Sequence, residues 1–257
     1  MCLVVLAHRM HPRYRLVVAA NRDEFHAREA APLCWWSDRP GLLAGRDLVA
    51  GGTWLGATLD GRFATVTNFR EFERSVGADA PSRGGLVPAF LAGAGTAGDH
   101  LQRTVADAGR YAGYSLLADD GESLWYSSNR GHGPVELGAG VYGLANDRLD
   151  EPWPKVVAGR RRLAGAIADE HVDPAALFDL LADDEPAADV NAGRSDAELA
   201  RALSAIFVRH PRYGTRCSTV LLAAHDGCTV VAERRYDASG RLTGATRHEF
   251  VARGGPS

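Results

Sequence analysis

Segments with the pattern of β-strands lie at both ends of this 257-residue sequence and enclose two helical blocks. Two apolar, β-rich runs open the chain, over 3–7 and 15–20, and further strand patterns close it over 217–250. Helical spacing occupies 84–110 and the stretch from 154 to about 203. Because helices do not alternate singly with strands, we expect an α+β fold, with helices on the outer faces of antiparallel sheets rather than βαβ units.

Two hairpins are predicted in the first third of the chain. The opening runs are separated by His11-Pro12-Arg13, so they form the first hairpin. The second joins 53–58 to 63–67 through Asp60-Gly61, a pair of residues that favours a turn. Asn68 then stands where the last of these strands ends.

Composition limits the classes of function. The hydrophobic share is 46% and the charged share 24%, as in ordinary folded proteins, and no internal repeat or linker is visible, so we expect a single domain over 1–257. A net charge of −3 gives no overall attraction to nucleic acid or to anionic lipid. No run of eighteen apolar residues occurs, which argues against an integral membrane protein.

The four cysteines, at positions 2, 34, 217 and 228, form neither a C-x-x-C pair nor a zinc-ligand spacing with histidine. Reduced thiols fit this pattern best, and they favour a cytoplasmic protein. The sequence therefore predicts neither a metal nor a bound cofactor.

Cys2 is the first candidate for a reactive residue, because it directly follows Met1. Removal of Met1 would leave a thiol and a free α-amine on one residue, and an α-amine can act as a general base near neutral pH. Such a pair suits acyl transfer through a thioester. The alternative is a small buried core residue in a strand, which is a common place for free cysteine.

Asn21-Arg22-Asp23-Glu24 directly follows the second apolar run. Because the first hairpin returns this end of the chain towards residue 2, Arg22 and Asp23 could hold the Cys2 sulfur through a charge-assisted contact. A polar turn leading to Phe25 is the alternative, since Asn and Asp favour turns.

Three further segments supply polar groups at strand ends or beside glycine. They contain Asn68, Asn146 and Arg216. An asparagine N–H next to an attacked carbonyl would serve as an oxyanion donor. Each asparagine taken alone is equally compatible with a turn.

Taken together these residues resemble the NRDE family, which is also named for transport and Golgi organisation. The matching segments, in chain order, are 1–3, Ala20-Asn21-Arg22-Asp23-Glu24, Gly51-Gly52-Thr53-Trp54-Leu55-Gly56, Thr67-Asn68-Phe69-Arg70, Ser82-Arg83-Gly84, Gly143-Leu144-Ala145-Asn146 and Thr215-Arg216-Cys217-Ser218-Thr219-Val220-Leu221.

The family is similar to cysteine N-terminal nucleophile hydrolases, and this resemblance implies a four-layer αββα sandwich. It also implies that Cys2 attacks a linear amide, with Asp23, Asn68, Asn146 and Arg216 matching the site residues of those enzymes by position and neighbourhood. Arg22 departs from their pattern, because they place the arginine three residues before the aspartate, where this chain has Ala20.

Two functions from different classes follow. The first is an amide hydrolase or acyltransferase that acts on a small acylated metabolite, with catalytic residues Cys2, Arg22, Asp23, Asn68, Asn146 and Arg216. The second, implied by eukaryotic relatives, is a non-enzymatic haem or lipid carrier, in which Cys2 or one of His8, His11 and His26 ligates haem iron. Acylation of Cys2 for peripheral membrane attachment is a third possibility. Substrate and oligomeric state are not specified by the sequence.

Overall fold

The structure, a computed structural model, describes residues 2–70, 80–131, 133–187 and 197–253. These residues form two antiparallel sheets. In chain order the strands are β1 (Leu3–His8), β2 (Tyr14–Phe25), β3 (Ala30–Trp35), β4 (Leu42–Asp47), β5 (Leu55–Thr58), β6 (Phe63–Asn68), β7 (Tyr114–Asp119), β8 (Leu124–Ser128), β9 (Val135–Leu137), β10 (Gly140–Leu144), β11 (Tyr213–Ala224), β12 (Cys228–Tyr236) and β13 (Leu242–Val251).

The thirteen strands of the described residues divide into a six-stranded and a seven-stranded sheet. The first has the order β10-β1-β2-β11-β12-β13, so the two ends of the chain lie side by side in it. The second follows chain order from β3 to β9. Both predicted hairpins are present, as β1–β2 and β5–β6.

The helices are α1 (Leu86–Leu91), α2 (Ala97–Ala106), α3 (Pro154–Ala166), α4 (Pro174–Leu181) and α5 (Ala197–Ala202). Thr96 and Asp173 cap the second and fourth of these through their side-chain oxygens. No helix in the described residues is both long and apolar enough to cross a membrane.

Three layers of apolar side chains show how the elements stack. One core joins α3 and α4 to the first sheet and contains Leu163 and Leu177. A second fills the space between the sheets, with Leu6 and Phe63. A third, which includes Phe90, lies between the second sheet and helices α1 and α2. The layers therefore run α, β, β, α, and the predicted four-layer sandwich is confirmed.

Strand β2 continues further than the sequence pattern indicates. Its apolar run was expected to end near residue 20, whereas the strand reaches Phe25 and keeps β11 as its neighbour. Residues 21–24 therefore belong to a sheet and not to a polar turn. Because side chains alternate along a strand, Asn21 and Asp23 face the α3–α4 layer while Arg22 faces the second sheet.

Candidate active site

Cys2 lies in the wall of a cavity of about 310 Å³ at one end of the sandwich. The side chains around it come from both sheets and from the loop at 82–84. They include Cys2, Arg22, Asp23, Trp54, Asn68 and Arg83. Two glycine-containing segments, 51–56 and 82–84, meet here: Thr53 N donates to the carbonyl of Gly84 at 3.0 Å, and a Cβ on Gly52 would overlap that carbonyl. Only glycine at position 52 allows the two loops to approach this closely.

Asn146 fixes the backbone nitrogen of Cys2. Its Oδ1 accepts from Cys2 N at 3.0 Å, and its Nδ2 donates to the backbone carbonyl of Asn68 at 2.8 Å. The side chain therefore ties the start of β1, in the first sheet, to the end of β6, in the second. Asn68 lines the cavity, and its own exposed side-chain amide makes no hydrogen bond within the described residues.

Arg22 lies on the strand next to Cys2 and also lines the cavity. Leu3 pairs with Asn21, so continuing the register by one residue places Arg22 opposite Cys2. The guanidinium lies over the Trp54 ring at 4.4 Å and 4.0 Å from Asp47 Oδ2, and the residue is buried. Arg22 thus reaches the cavity from the opposite strand, although the arginine position of the hydrolases is occupied by Ala20.

Asp23 is fully buried on the other face of β2. Its Oδ1 accepts from Thr215 Oγ1 at 2.7 Å, and its Oδ2 lies 3.5 Å from Lys155 Nζ. Burial raises the pKa of Asp23, and the Lys155 ammonium opposes that rise. The two charges are therefore held together inside the protein, beside the cavity.

Lys155 is the residue that the sequence interpretation missed. It is 1% exposed and sits in the first turn of α3, the helix that packs on β1 and β10. A signal was present, because this is the only lysine in a sequence whose other basic side chains are arginines and histidines. An arginine-rich chain that keeps one lysine in a buried position has a specific use for a compact ammonium.

Arg216 lies in an adjoining cavity and not in the one that contains Cys2. Thr215 pairs with Asp23 and Cys217 with Arg22, so Arg216 is the extra residue of a β-bulge. Its Nη1 lies 3.4 Å from His26 Nδ1. The structure therefore groups Cys2, Arg22, Asp23, Asn68 and Asn146 and sets Arg216 apart.

The histidines proposed for haem are engaged with the backbone. His8 Nδ1 lies 3.0 Å from the carbonyl of Gly138, and His11 Nε2 lies 3.0 Å from that of Asp169. Both residues are buried, and His26 Nε2 contacts the carbonyl of His210 at 2.9 Å. Among the described residues, no cluster of three or more His, Cys, Asp or Glu side chains could hold a metal ion.

Residues 1–238 match the family described as Transport and Golgi organisation 2. The chain belongs to this family. The Transport and Golgi organization protein 2 homolog of Bos taurus is 33% identical over 97% of this chain and 99% of its own. The Homo sapiens homolog is 32% identical, over 91% of this chain and 92% of its own.

Two solved structures share the fold of this family member. One is a mutant conjugated bile acid hydrolase from Clostridium perfringens, with a TM-score of 0.57 and 8% identity over 97% of this chain and 92% of its own. The other is the Caenorhabditis elegans ortholog of N-acylethanolamine-hydrolyzing acid amidase, with a TM-score of 0.51 and 9% identity over 86% and 92%. The fold is thus that of the N-terminal nucleophile hydrolases, as the sequence predicted.

Proposed function

We propose that the protein is a cysteine amide hydrolase or acyltransferase that acts on a small acylated metabolite through a Cys2 thioester. The observation that carries this proposal is the hydrogen bond between Cys2 N and Asn146 Oδ1 at the wall of the cavity. It fixes the one nitrogen that removal of Met1 would convert into an α-amine. The two fold neighbours are hydrolases by name, which supports the same reaction class by analogy.

In the first half of the reaction the α-amine of Cys2 accepts the thiol proton, and the sulfur attacks the amide carbon. The tetrahedral intermediate then collapses: the C–N bond breaks, the amine leaves with the proton from the Cys2 nitrogen, and a thioester remains. Water completes hydrolysis by attacking the thioester carbon and returning a proton to sulfur. A second amine in place of water gives acyl transfer.

The two asparagines have different roles in this scheme. Both ends of the Asn146 amide are already bonded, so that side chain orients the nucleophilic residue. The Asn68 amide faces the cavity without such a bond and is the donor for the oxyanion. Loss of one oxyanion donor costs about 2.7–4 kcal/mol of transition-state stabilisation.

Arg22 and the Asp23–Lys155 pair supply the charges of the site. Arg22 presents a guanidinium at the cavity wall opposite Cys2, where it can donate hydrogen bonds to a bound substrate. Lys155 favours the ionised form of Asp23 against the effect of burial. An ionised Asp23 can accept from the nitrogen of Cys2 and hold it in place for proton transfer.

The alternative haem-carrier function fits these residues poorly. A haem pocket needs an extensive apolar surface around the macrocycle. Here Arg22, Asp23, Glu24, Arg28 and Asp47 all line the Cys2 cavity. We therefore derive no step through haem, and a titration that shows a Soret shift with wild-type protein and none with Cys2→Ala would reverse this conclusion.

The test is acylation and alkylation of Cys2, with Cys34 as a control in the same molecule. Cys34 is exposed and lies in β3, whereas Cys2 is only half-exposed. Reactivity set by exposure alone would favour Cys34. We expect iodoacetamide and an activated acyl ester to modify Cys2 first, in protein whose intact mass shows that Met1 is absent.

The matched variants are Cys2→Ala and Cys34→Ala. The first should lose both the acyl adduct and any amide hydrolysis while unfolding at the wild-type temperature, and the second should keep them. Equal acylation of wild type and Cys2→Ala, or retention of Met1 in the native protein, would remove the proposal.

A further inference from the structure

A second cavity, of about 150 Å³, adjoins the Cys2 cavity. The two cavities share Arg22, Arg28 and Trp54 in their walls. Arg22 stacks on the Trp54 ring at the boundary between them. Arg22 and Trp54 therefore form part of a wall common to both cavities.

Positive charge dominates this second cavity. Four arginines line it, at positions 22, 28, 216 and 235, against the single carboxyl group of Glu233. Arg28 forms an ion pair with Asp47, in which Arg28 Nε lies 2.8 Å from Asp47 Oδ2. Burial raises the pKa of Glu233, which reduces the negative charge available to the remaining arginines.

Arg216 and Arg235 are the two arginines that line the second cavity and not the first. No carboxylate of the described residues lies within 4.0 Å of the Arg216 guanidinium, whose recorded contact is His26. Arg235 Nε is 3.9 Å from Glu233 Oε1, is buried, and makes no hydrogen bond within the described part of the chain. A buried N–H without an acceptor is costly, so an acceptor in the cavity that reaches Arg235 Nε would be stabilised there.

Local backbone features position the guanidinium groups of Arg216 and Arg235 in the second cavity. The β-bulge in β11 turns Arg216 into this cavity. Gly244, opposite Arg235 in the register of β12 and β13, has no Cβ, and any Cβ there would overlap the Arg235 guanidinium. The chain thus leaves room for the guanidinium group against the backbone of β13.

We propose that this cavity is an anion subsite for the substrate of Cys2, which binds a carboxylate, sulfonate or phosphate group through Arg216 and Arg235. The inference rests on the proposed function. In the Cys2 cavity Phe25 and Val66 offer a short apolar surface, enough for a small acyl chain and too little for a macrocycle, while Asp23, Glu24 and Asp47 disfavour an anion there. We therefore place the anionic group on the amine portion of the amide, which reaches the second cavity. Arg216 is then a residue that determines specificity and does not act on the reacting atoms.

The test uses two ligands that differ only in charge, N-octanoylglycine and N-octanoylglycinamide. Calorimetric binding to the full chain carrying Cys2→Ala avoids turnover. We expect the carboxylate to bind about tenfold or more tightly than the neutral amide, because guanidinium–carboxylate bonds are charge-assisted. The preference should shrink when NaCl is raised from about 20 mM to about 500 mM.

Two variants in the Cys2→Ala background locate the effect. Arg216→Gln should abolish the preference, and Arg235→Gln provides a second variant if the first does not fold. The control is Arg212→Gln, since Arg212 is exposed and does not line either cavity.

Equal affinity for the two ligands, absence of binding by both, or a preference that survives both cavity substitutions would overturn the anion subsite. Failure of the proposed function gives a different result: the charge preference remains in the binding experiment while wild-type Cys2 forms no acyl adduct.

Discussion

The two ends of strand β2 carry buried ion pairs that differ in how completely they are hydrogen bonded. Near its start, Arg15 donates to Asp119 Oδ1 at 2.6 Å and to the carbonyl of Gly61 at 2.6 Å, and Gly121 N also donates to Oδ1. Asp119 Oδ2 makes no hydrogen bond within the described residues, so the bonded member of this pair is the cation. Near its end, Asp23 and Lys155 are 3.5 Å apart, and Lys155 Nζ makes no hydrogen bond within the described residues. Both members of this second pair have completely buried side chains.

We infer from this difference that the first pair is structural and that the second serves the proposed reaction. The pair of Arg15 and Asp119 joins β2 to β7, so it links one sheet to the other at the end of β2 that does not line the Cys2 cavity. The pair of Lys155 and Asp23 lies beside the nucleophile and leaves donors of the ammonium unused. A buried charge pair rarely stabilises a protein more than apolar residues would, so an incompletely bonded pair next to a cavity points to function.

The largest expected effect is that of Arg15→Met on stability. Removal of one partner of a buried pair leaves the other uncompensated, which costs about 3–5 kcal/mol of unfolding free energy. Burial already raises the pKa of Asp119, and loss of Arg15 would raise it further.

Because the folded state of this variant would favour the protonated carboxyl, its stability should fall as the pH rises through the raised pKa of Asp119. Urea denaturation at about pH 4 and about pH 8 measures this, and the deficit relative to wild type should be larger at about pH 8. The rate of Cys2 alkylation in the folded fraction should stay at the wild-type value. A slower rate would mean that this end of β2 also serves the site.

Lys155→Met should affect the reaction rate more than the stability, the opposite of Arg15→Met. We expect a loss of about 1–3 kcal/mol in stability, because the original pair is long, and a fall of about tenfold in the rate of thioester formation at neutral pH. Lys155 lowers the pKa of Asp23, so its removal raises that pKa. Activity that needs the carboxylate is lost as the pH falls through this value, and the acid limb of the rate profile should move to higher pH.

The measurement is the rate of Cys2 acylation against pH, with Arg15→Met as the matched control for a broken buried pair. The groups facing Asp23 include Lys155 from α3 and Thr215 from β11, whereas the neighbouring Arg22 lies on the other face of the strand. A purely structural role for Lys155 would lower the amount of folded protein and leave the shape of the profile unchanged. That outcome would contradict the functional interpretation of the pair.

A contrast between local and long-range features explains what could be predicted from the sequence. The two hairpins and the helical blocks could be predicted from local patterns, because alternation and helical spacing are properties of neighbouring residues. Strands β3 and β4 were missed: Pro32 interrupts one, Gly45 and Arg46 the other, and neither shows clear alternation. The αββα order came from the family resemblance together with the arrangement of strands around helices.

The site divides in the same way. Cys2, Asp23 and Asn146 could be named because they lie at strand ends in recognisable segments. Lys155 could not, since its partner is more than a hundred residues away in the chain and its neighbours include the basic run 160–162, which was interpreted as a solvated helix face. That Arg216 lies in the adjoining cavity could not be predicted, because a β-bulge of one residue has no signature in the sequence.

Tyr114→Phe has the smallest expected effect on stability. It tests the rule inferred from β2, that a buried polar group without hydrogen bonds indicates function only when it lies beside a cavity. The Tyr114 side chain is buried in the core under α1 and α2 and does not line the Cys2 cavity, although Tyr114 pairs with Asn68 in the sheet, and its hydroxyl has no hydrogen-bond partner in the described residues. Tyr114→Phe removes that hydroxyl, so we expect a gain of about 1 kcal/mol in unfolding free energy and no change in Cys2 acylation.

Burial raises the pKa of Tyr114 to about 12, above the value near 10 of an unfolded tyrosine. The folded state therefore favours the neutral phenol, and wild type should lose this stabilisation as the pH rises from about 10 to about 12, whereas Tyr114→Phe keeps a flatter profile. Urea midpoints across this range measure the difference. If Tyr114→Phe slowed acylation instead, unsatisfied polar groups outside the cavity wall would also serve the site, and the distinction drawn between the two ends of β2 would fail.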